Sequence, residues 1–139
     1  MNRLALTVVI VASPSMVGAS SFCDKLAALA KSDAETVSVA RAPAESATCT
    51  RSIGLGGTKA LHCGWPFGYR SAEAQIAFEA MLGDVRQCAD PITVPPSVVN
   101  HPDSYDLLQF NFGPAIVSVS LKDKAALAKT YVFLRIEQP

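Results

Sequence analysis

The sequence has few of the residues from which active sites are usually built. Its only histidines are His62 and His101, and neither a Gly-x-Ser-x-Gly elbow nor a Cys-x-x-Cys pair is present. The first absence removes the signature of an α/β-type serine hydrolase, and the second removes that of a thioredoxin-like oxidoreductase. His101 followed by Asp103, without a spaced second ligand, is a weak metal motif. We therefore expect no catalytic residues, no metal site and no cofactor.

Neither sign of charge is in excess, because 12 lysines and arginines balance 12 acidic residues. Proteins that bind nucleic acid or adhere to an anionic membrane usually carry a marked excess of positive charge. The composition therefore indicates that nucleic acid is not a partner and that charge does not recruit the chain to a membrane.

The apolar run at the N-terminus is too short to cross a membrane. It comprises the nine residues Leu4–Ala12, whereas a transmembrane helix needs about 20 residues. Arg3 precedes the run, and Val17, Gly18 and Ala19 follow it, which is the pattern of a signal peptide cleaved after Ala19. We predict a signal peptide over residues 1–19 and a single exported domain over residues 20–139. The mature chain would be periplasmic or secreted, without a stable membrane anchor.

Four cysteines lie in the predicted mature part: Cys23, Cys49, Cys63 and Cys88. An even number of cysteines in an exported chain predicts disulfides. From Cys63 to Ser71 the strand spans about 26 Å, and the helix back from Ser71 to Cys88 spans about 25 Å. A helix folded over its own strand would place Cys88 above Cys63. This geometry predicts the pair Cys63–Cys88 and, by elimination, the pair Cys23–Cys49.

Hydrophobic periodicity predicts the order helix, three strands, helix, three strands. The predicted helices are 20–31 and 71–88, and the predicted strands are 35–41, 47–55, 58–67, 105–112, 115–121 and 128–136. Residues 89–104 contain four prolines, which predicts an extended crossover in place of a helix. The order predicts an α+β fold in which one long helix packs an antiparallel sheet held by two disulfides.

The element order is similar to that of type III secretion chaperones, whose chains begin with the same helix, three strands and helix. The resemblance covers element order alone and no motif is shared. It implies a chaperone-like fold, here adapted to the cell envelope because the chain begins with an export signal.

The candidate binding residues lie in two places along the chain. Tyr69 and Arg70 follow the strand that contains the only tryptophan, and they are expected at the surface. His101 and Asp103 lie in the proline-rich crossover, and long loops of this kind are often functional. His62 alternates with core-facing residues, so its side chain should point away from the helix.

We interpret the chain as an exported, non-enzymatic binding protein that has a protein partner. An inhibitor or immunity protein for an exported hydrolase or toxin fits the export signal, the paired cysteines and the small domain. Three alternatives remain open. They are a small exported hydrolase using His62 or His101, a carrier of an apolar ligand favoured by Tyr131 and Phe133, and the chaperone-like fold.

Overall fold

A computed structural model describes residues 19–31, 36–39, 47–93 and 105–138. These residues form one seven-stranded sheet, in which every pairing is antiparallel, and two helices. The helices are α1 (Ala19–Lys31) and α2 (Ala72–Arg86). The strands are β1 (Thr36–Val39), β2 (Ala47–Ile53), β3 (Lys59–Gly68), β4 (Asp90–Ile92), β5 (Tyr105–Phe112), β6 (Ala115–Lys124) and β7 (Lys129–Gln138). The strand order across the sheet is β1-β2-β3-β7-β6-β5-β4. The predicted α+β class and both predicted helices are confirmed, and the two helices together, not the longer one alone, pack the sheet.

The hydrophobic core lies between the two helices and one face of the sheet. Alternate residues of β3 and β7 face the helices, because side chains along a strand point to opposite sides in turn. The buried members from these strands are Leu61, Cys63, Trp65, Val132, Leu134 and Ile136. Leu26 and Leu29 of α1 belong to the same core cluster as the buried stripe of α2, so both helices cover the same face.

Ser71, where the predicted helix starts, is the N-cap of α2. The Ser71 hydroxyl accepts a hydrogen bond from the backbone N–H of Ala74 at 3.2 Å, which satisfies one of the free donors of the first turn. Glu73 in the first turn and Arg86 in the last turn are both placed favourably for the helix dipole. The capping residue therefore sets the start of α2. The buried apolar stripe of the helix packs against the sheet.

The predicted disulfide pairing is wrong, although all four cysteines are paired. The bridges are Cys23–Cys88, with Cα atoms 5.8 Å apart, and Cys49–Cys63, with Cα atoms 4.1 Å apart. Cys49 and Cys63 lie directly opposite each other in the β2–β3 pair. The first bridge joins α1 to Cys88, two residues past the end of α2, and it fastens the two helices to each other.

The pairing error has a geometric cause. The chain leaves β3, passes through α2 and enters β4, which lies four strand positions away at the sheet edge. Four positions correspond to about 19 Å of sideways displacement. Because α2 must cross the sheet towards β4, its end moves away from β3, and Cys88 cannot lie above Cys63. A comparison of the lengths of β3 and α2 along the strand direction leaves this sideways displacement out.

Two further boundaries differ from the prediction. The short strand β4 lies inside the predicted crossover, where Pro91 is tolerated because β4 is at the edge of the sheet. Strand β6 continues through Lys124, three residues beyond its predicted end at residue 121. The connection to β7 is a 3₁₀ turn at Ala125–Leu127.

Most of the predicted signal peptide, residues 1–18, and the candidates His101 and Asp103 lie outside the described residues. The signal peptide and these two binding residues stay predictions. Within the described part of the chain, neither helix combines the length and the apolar character that crossing a membrane requires.

Candidate functional site

The candidate site is on the sheet face opposite the helices, which we call the open face. Its residues are those that alternate with the core-facing residues of each strand. The register aligns one row of polar side chains across five strands: Thr50, His62, Arg135, Ser118 and Gln109. The adjacent row contains Gly64, Phe133, Ser120 and Leu107. Strand order thus assembles a surface from residues that are far apart in the sequence.

Three aromatic rings lie together on the open face. Phe133 is stacked on Tyr131, with ring centroids 5.4 Å apart and planes 4° from parallel. Phe133 also approaches His62, with ring centroids 4.9 Å apart and planes tilted by 39°. Gly64 lies opposite Phe133 on β3. A Cβ atom at Gly64 would come within 2.9 Å of the Phe133 ring. The ring can therefore occupy this position only because residue 64 has no side chain.

A groove of about 380 Å³ runs beside this aromatic cluster. Its floor is β6, where Ser118 and Ser120 face the groove but are each only 7% exposed. They are buried because the longer side chains on either side rise above them, including Phe133 from β7 and Leu107 from β5. Gln109 donates a hydrogen bond to the Ser118 hydroxyl at 3.2 Å. The volume is within the range of small-ligand and side-chain pockets.

Positive charge dominates the groove. It is lined by Lys122, Lys124 and Arg135 against one carboxylate, that of Glu137. Arg135 forms an ion pair with Glu137 at 2.5 Å. Lys122 and Lys124 follow one another on the same face of β6, at one end of the groove. The chain as a whole has no net charge, so this surface is locally more basic than the protein.

His62 lines the same groove and stays neutral to a lower pH than an ordinary histidine. Partial burial lowers its pKa, and the positive charge of Arg135 lowers it further. As predicted, its side chain points away from the helices. A general base is usually oriented by a carboxylate, whereas the neighbours described here are an aromatic ring and a cation. A hydrolase based on His62 therefore gains no geometric support.

Tyr69 and Arg70, the predicted surface pair, lie at the end of β3, apart from the groove. The Arg70 guanidinium donates to the Asp123 carboxylate at 2.8 Å and lies over the Tyr69 ring, 5.1 Å from its centroid. Thr130 donates to the other Asp123 oxygen at 2.6 Å and accepts from the Arg70 backbone N–H at 2.7 Å. The Thr130 hydrogen bond lowers the pKa of Asp123 most and Arg70 adds to it, although burial acts in the opposite direction.

This network gives Arg70 a structural role. It ties the β3–α2 turn to the β6–β7 hairpin, and it holds Arg70 at a positive φ of 52°. The Asp123 side chain is only 8% exposed, whereas that of Arg70 is 63% exposed. No described observation connects Tyr69 or Arg70 to the groove, so their role in binding stays a prediction.

Of the groove residues, sequence reasoning named only His62 and Phe133, each for an alternative function, and it did not assign the others to a site. Strand alternation placed Ser118 and Ser120 together on one side of β6, and Tyr131 and Phe133 together on one side of β7. That signal identifies the face, but the strand order is needed to bring β5, β6 and β7 together. Among the described residues no cluster of three or more histidine, cysteine or acidic side chains forms a candidate metal site.

Comparisons of the chain with protein-family models, curated protein sequences and solved structures return no match. The similarity of element order to type III secretion chaperones therefore gains no support from them. The functional interpretation therefore depends on the structure of this chain.

Proposed function

We propose that this protein is a non-enzymatic binding protein of an oxidising compartment outside the cytoplasm, and that it binds a protein partner through the open face. One observation supports this most. Both helices pack on one side of the sheet, and no described helix or strand covers the aromatic and cationic side chains on the other side. Exposed aromatic clusters and arginines are typical of protein interfaces.

The disulfides support the proposed compartment. All four cysteines are paired, and structural disulfides form and persist in oxidising environments. One bridge joins the two helices and the other joins the neighbouring strands β2 and β3. They hold the scaffold rigid, which lowers the entropy lost when a partner binds. An inhibitor or immunity protein for an exported hydrolase or toxin is one class of protein with these properties.

Site-specific photocrosslinking tests the proposal because the chain offers two matched isoleucines. Ile116 is 37% exposed and its register places it on the open face, opposite Glu137. Ile76 is 67% exposed on α2, on the helical side of the protein. The photoreactive residue p-benzoylphenylalanine would replace each in turn, in cells that produce the protein.

We expect the Ile116 probe to give one discrete adduct of higher mass and the Ile76 probe to give none. The adduct should disappear when Ser120→Arg fills the groove floor, while the variant keeps its folded circular-dichroism spectrum. Equal adducts from both positions, or an adduct that Ser120→Arg leaves unchanged, would exclude the open face as the interface.

A further inference from the structure

The two disulfides differ in how far solvent can reach them. Cys49 and Cys63 are 0% and 1% exposed, so the bridge between β2 and β3 lies inside the core. Cys23 and Cys88 are both only half-buried. Thiol–disulfide exchange requires a thiolate to reach one of the two sulfur atoms of a bridge. In the folded protein, therefore, the bridge between the helices is open to attack and the bridge between the strands is not.

The two sulfur atoms of the exposed bridge have different electrostatic surroundings. Cys23 is the fifth residue of α1, and helical side chains point back towards the N-terminus of their helix. The free N–H groups of the first turn favour a negative charge on its sulfur. Cys88 follows the C-terminal end of α2, and its Sγ lies 3.7 Å from the carbonyl oxygen of Asp84, which disfavours a negative charge. Cys23 is therefore the better leaving group.

We propose that Cys23–Cys88 is a redox-active bridge, which a dithiol reductant opens while Cys49–Cys63 stays oxidised. A thiolate of the dithiol attacks Sγ of Cys88, the bond between the two cysteines breaks, and Cys23 leaves as a thiolate that takes up a proton. The second thiol of the reductant then attacks the mixed disulfide and releases Cys88. Two electrons and two protons pass to the protein, and the reductant becomes a disulfide.

Opening this bridge changes how α1 is held. A helix of 13 residues is marginal by itself, and the bridge closes a loop with a sequence separation of 65 residues. Its loss returns conformational freedom to the chain. The contacts that remain include the packing of Leu26 and Leu29 in the core and the hydrogen bond from Arg51 to the Leu29 carbonyl. We therefore expect reduction to loosen α1 from α2 while the sheet stays in place.

Timed reduction of the folded protein by dithiothreitol tests the selectivity. Samples are quenched with acid, free thiols are labelled with N-ethylmaleimide, and the cysteines still bridged are labelled with iodoacetamide after full reduction. Mass spectrometry of the peptides then gives a rate for each cysteine. We expect Cys23 and Cys88 to be released at least about tenfold faster than Cys49 and Cys63, because a buried bridge reacts only when the structure opens. The fluorescence of Trp65 should stay native meanwhile.

Two further measurements test the direction of attack and the release of α1. Mercaptoethanol, which has a single thiol, should leave its mixed disulfide on Cys88 and a free thiol on Cys23. Trypsin should cut after Lys25, an exposed residue of α1, about tenfold faster once the bridge is open, whereas cleavage after the exposed Arg135 of β7 should not change. The variant Cys23→Ser/Cys88→Ser should be cut after Lys25 at the faster rate without any reductant.

The inference is overturned if the two bridges open at equal rates or if Cys49–Cys63 opens first. A mixed disulfide mainly on Cys23 would contradict the direction of attack. Unchanged cleavage after Lys25, or an equal rise after Arg135, would contradict the selective release of α1. Neither cysteine of the bridge lies on the open face, so none of these results decides the proposed function, which the photocrosslinking experiment tests separately.

Discussion

Gly64 gives the most specific test of how the open face is built, because an added methyl group has a single obstacle. A Cβ atom at this position would lie 2.9 Å from Cε1 and 3.1 Å from Cδ1 of Phe133, whereas carbon atoms prefer about 3.5–4.0 Å. The Phe133 ring must therefore move away from β3. That movement also disturbs its contacts with His62 and Tyr131.

The effect of Gly64→Ala on the free energy of unfolding should change sign with the residue at position 133. In the wild type, an off-rotamer ring costs about 0.5–1.5 kcal/mol, and weakened ring contacts cost roughly 0.5–1.5 kcal/mol more. Replacing glycine by alanine within a strand stabilises the folded state by about 0.5–1 kcal/mol. The substitution should therefore destabilise the wild type by about 1 kcal/mol. In a Phe133→Ala background it should stabilise by about 0.5–1 kcal/mol, which makes the coupling energy about 1.5–2 kcal/mol.

Urea unfolding followed by the fluorescence of Trp65, which is 2% exposed, measures all four proteins of the cycle. Gly83 provides the control, because a Cβ atom there meets nothing within 4 Å. Gly83→Ala should stabilise both backgrounds equally, by about 1 kcal/mol, as expected for a helix interior. The packing described for the open face would be refuted if Gly64→Ala had the same effect with and without the Phe133 ring.

Two further predictions concern the acid sensitivity of Asp123 and the disulfides. Hydrogen bonds from Thr130 and Arg70 hold the pKa of Asp123 below its ordinary 3.8; the resulting stabilisation is present in full above about pH 4 and is lost as the pH falls through the lowered pKa. Acid unfolding curves should show this loss in the wild type, whereas Asp123→Asn should be less stable at neutral pH and should lack that part of the decline. The disulfides close loops with sequence separations of 65 and 14 residues, so chain entropy predicts losses of about 4 kcal/mol for Cys23→Ser/Cys88→Ser and about 3 kcal/mol for Cys49→Ser/Cys63→Ser. Equal losses, or a larger loss from the shorter loop, would count against this ranking in chemical denaturation.

Local features of the fold could be predicted from the sequence because neighbouring residues determine them. Apolar residues at every second position from Leu61 to Phe67 indicate the core face of β3, and the predicted helix starts at Ser71, the N-cap of α2. The limits of β5 were also correct. In each case the signal is a side-chain pattern or a cap within one element, and no knowledge of distant partners is needed.

The disulfides could not be paired correctly because their geometry depends on the arrangement of whole elements. The glycine turn after β2 closes a hairpin in which Gly54 donates to Thr58 at 2.9 Å. Counting outwards from that turn brings Cys49 opposite Cys63. The sequence contains this signal, but the matching lengths of β3 and α2 favour a different pairing. The path of α2 across the sheet follows only from the position of β4.

Arg51 illustrates why isolated exceptions in a pattern are difficult to interpret. It interrupts the apolar face of β2, and its register opposite Leu61 confirms that it lies on the core side. Its guanidinium donates to the Leu29 carbonyl at 2.7 Å, in the last turn of α1. There it satisfies a carbonyl at the helix end. The separation of 22 residues concealed this partner from sequence reasoning.

Mapping the cysteine pairs is the most direct test of the central claim, that both helices are held on one side of the sheet while the other side stays open. Protein isolated from its own cells, alkylated without reduction and digested, would be analysed by mass spectrometry for linked peptides. We predict the linked pairs Cys23–Cys88 and Cys49–Cys63, with no alkylated cysteine. Four alkylated cysteines would contradict the oxidising compartment. A Cys63–Cys88 link would contradict the arrangement of the helices, and with it the fold on which the open face depends.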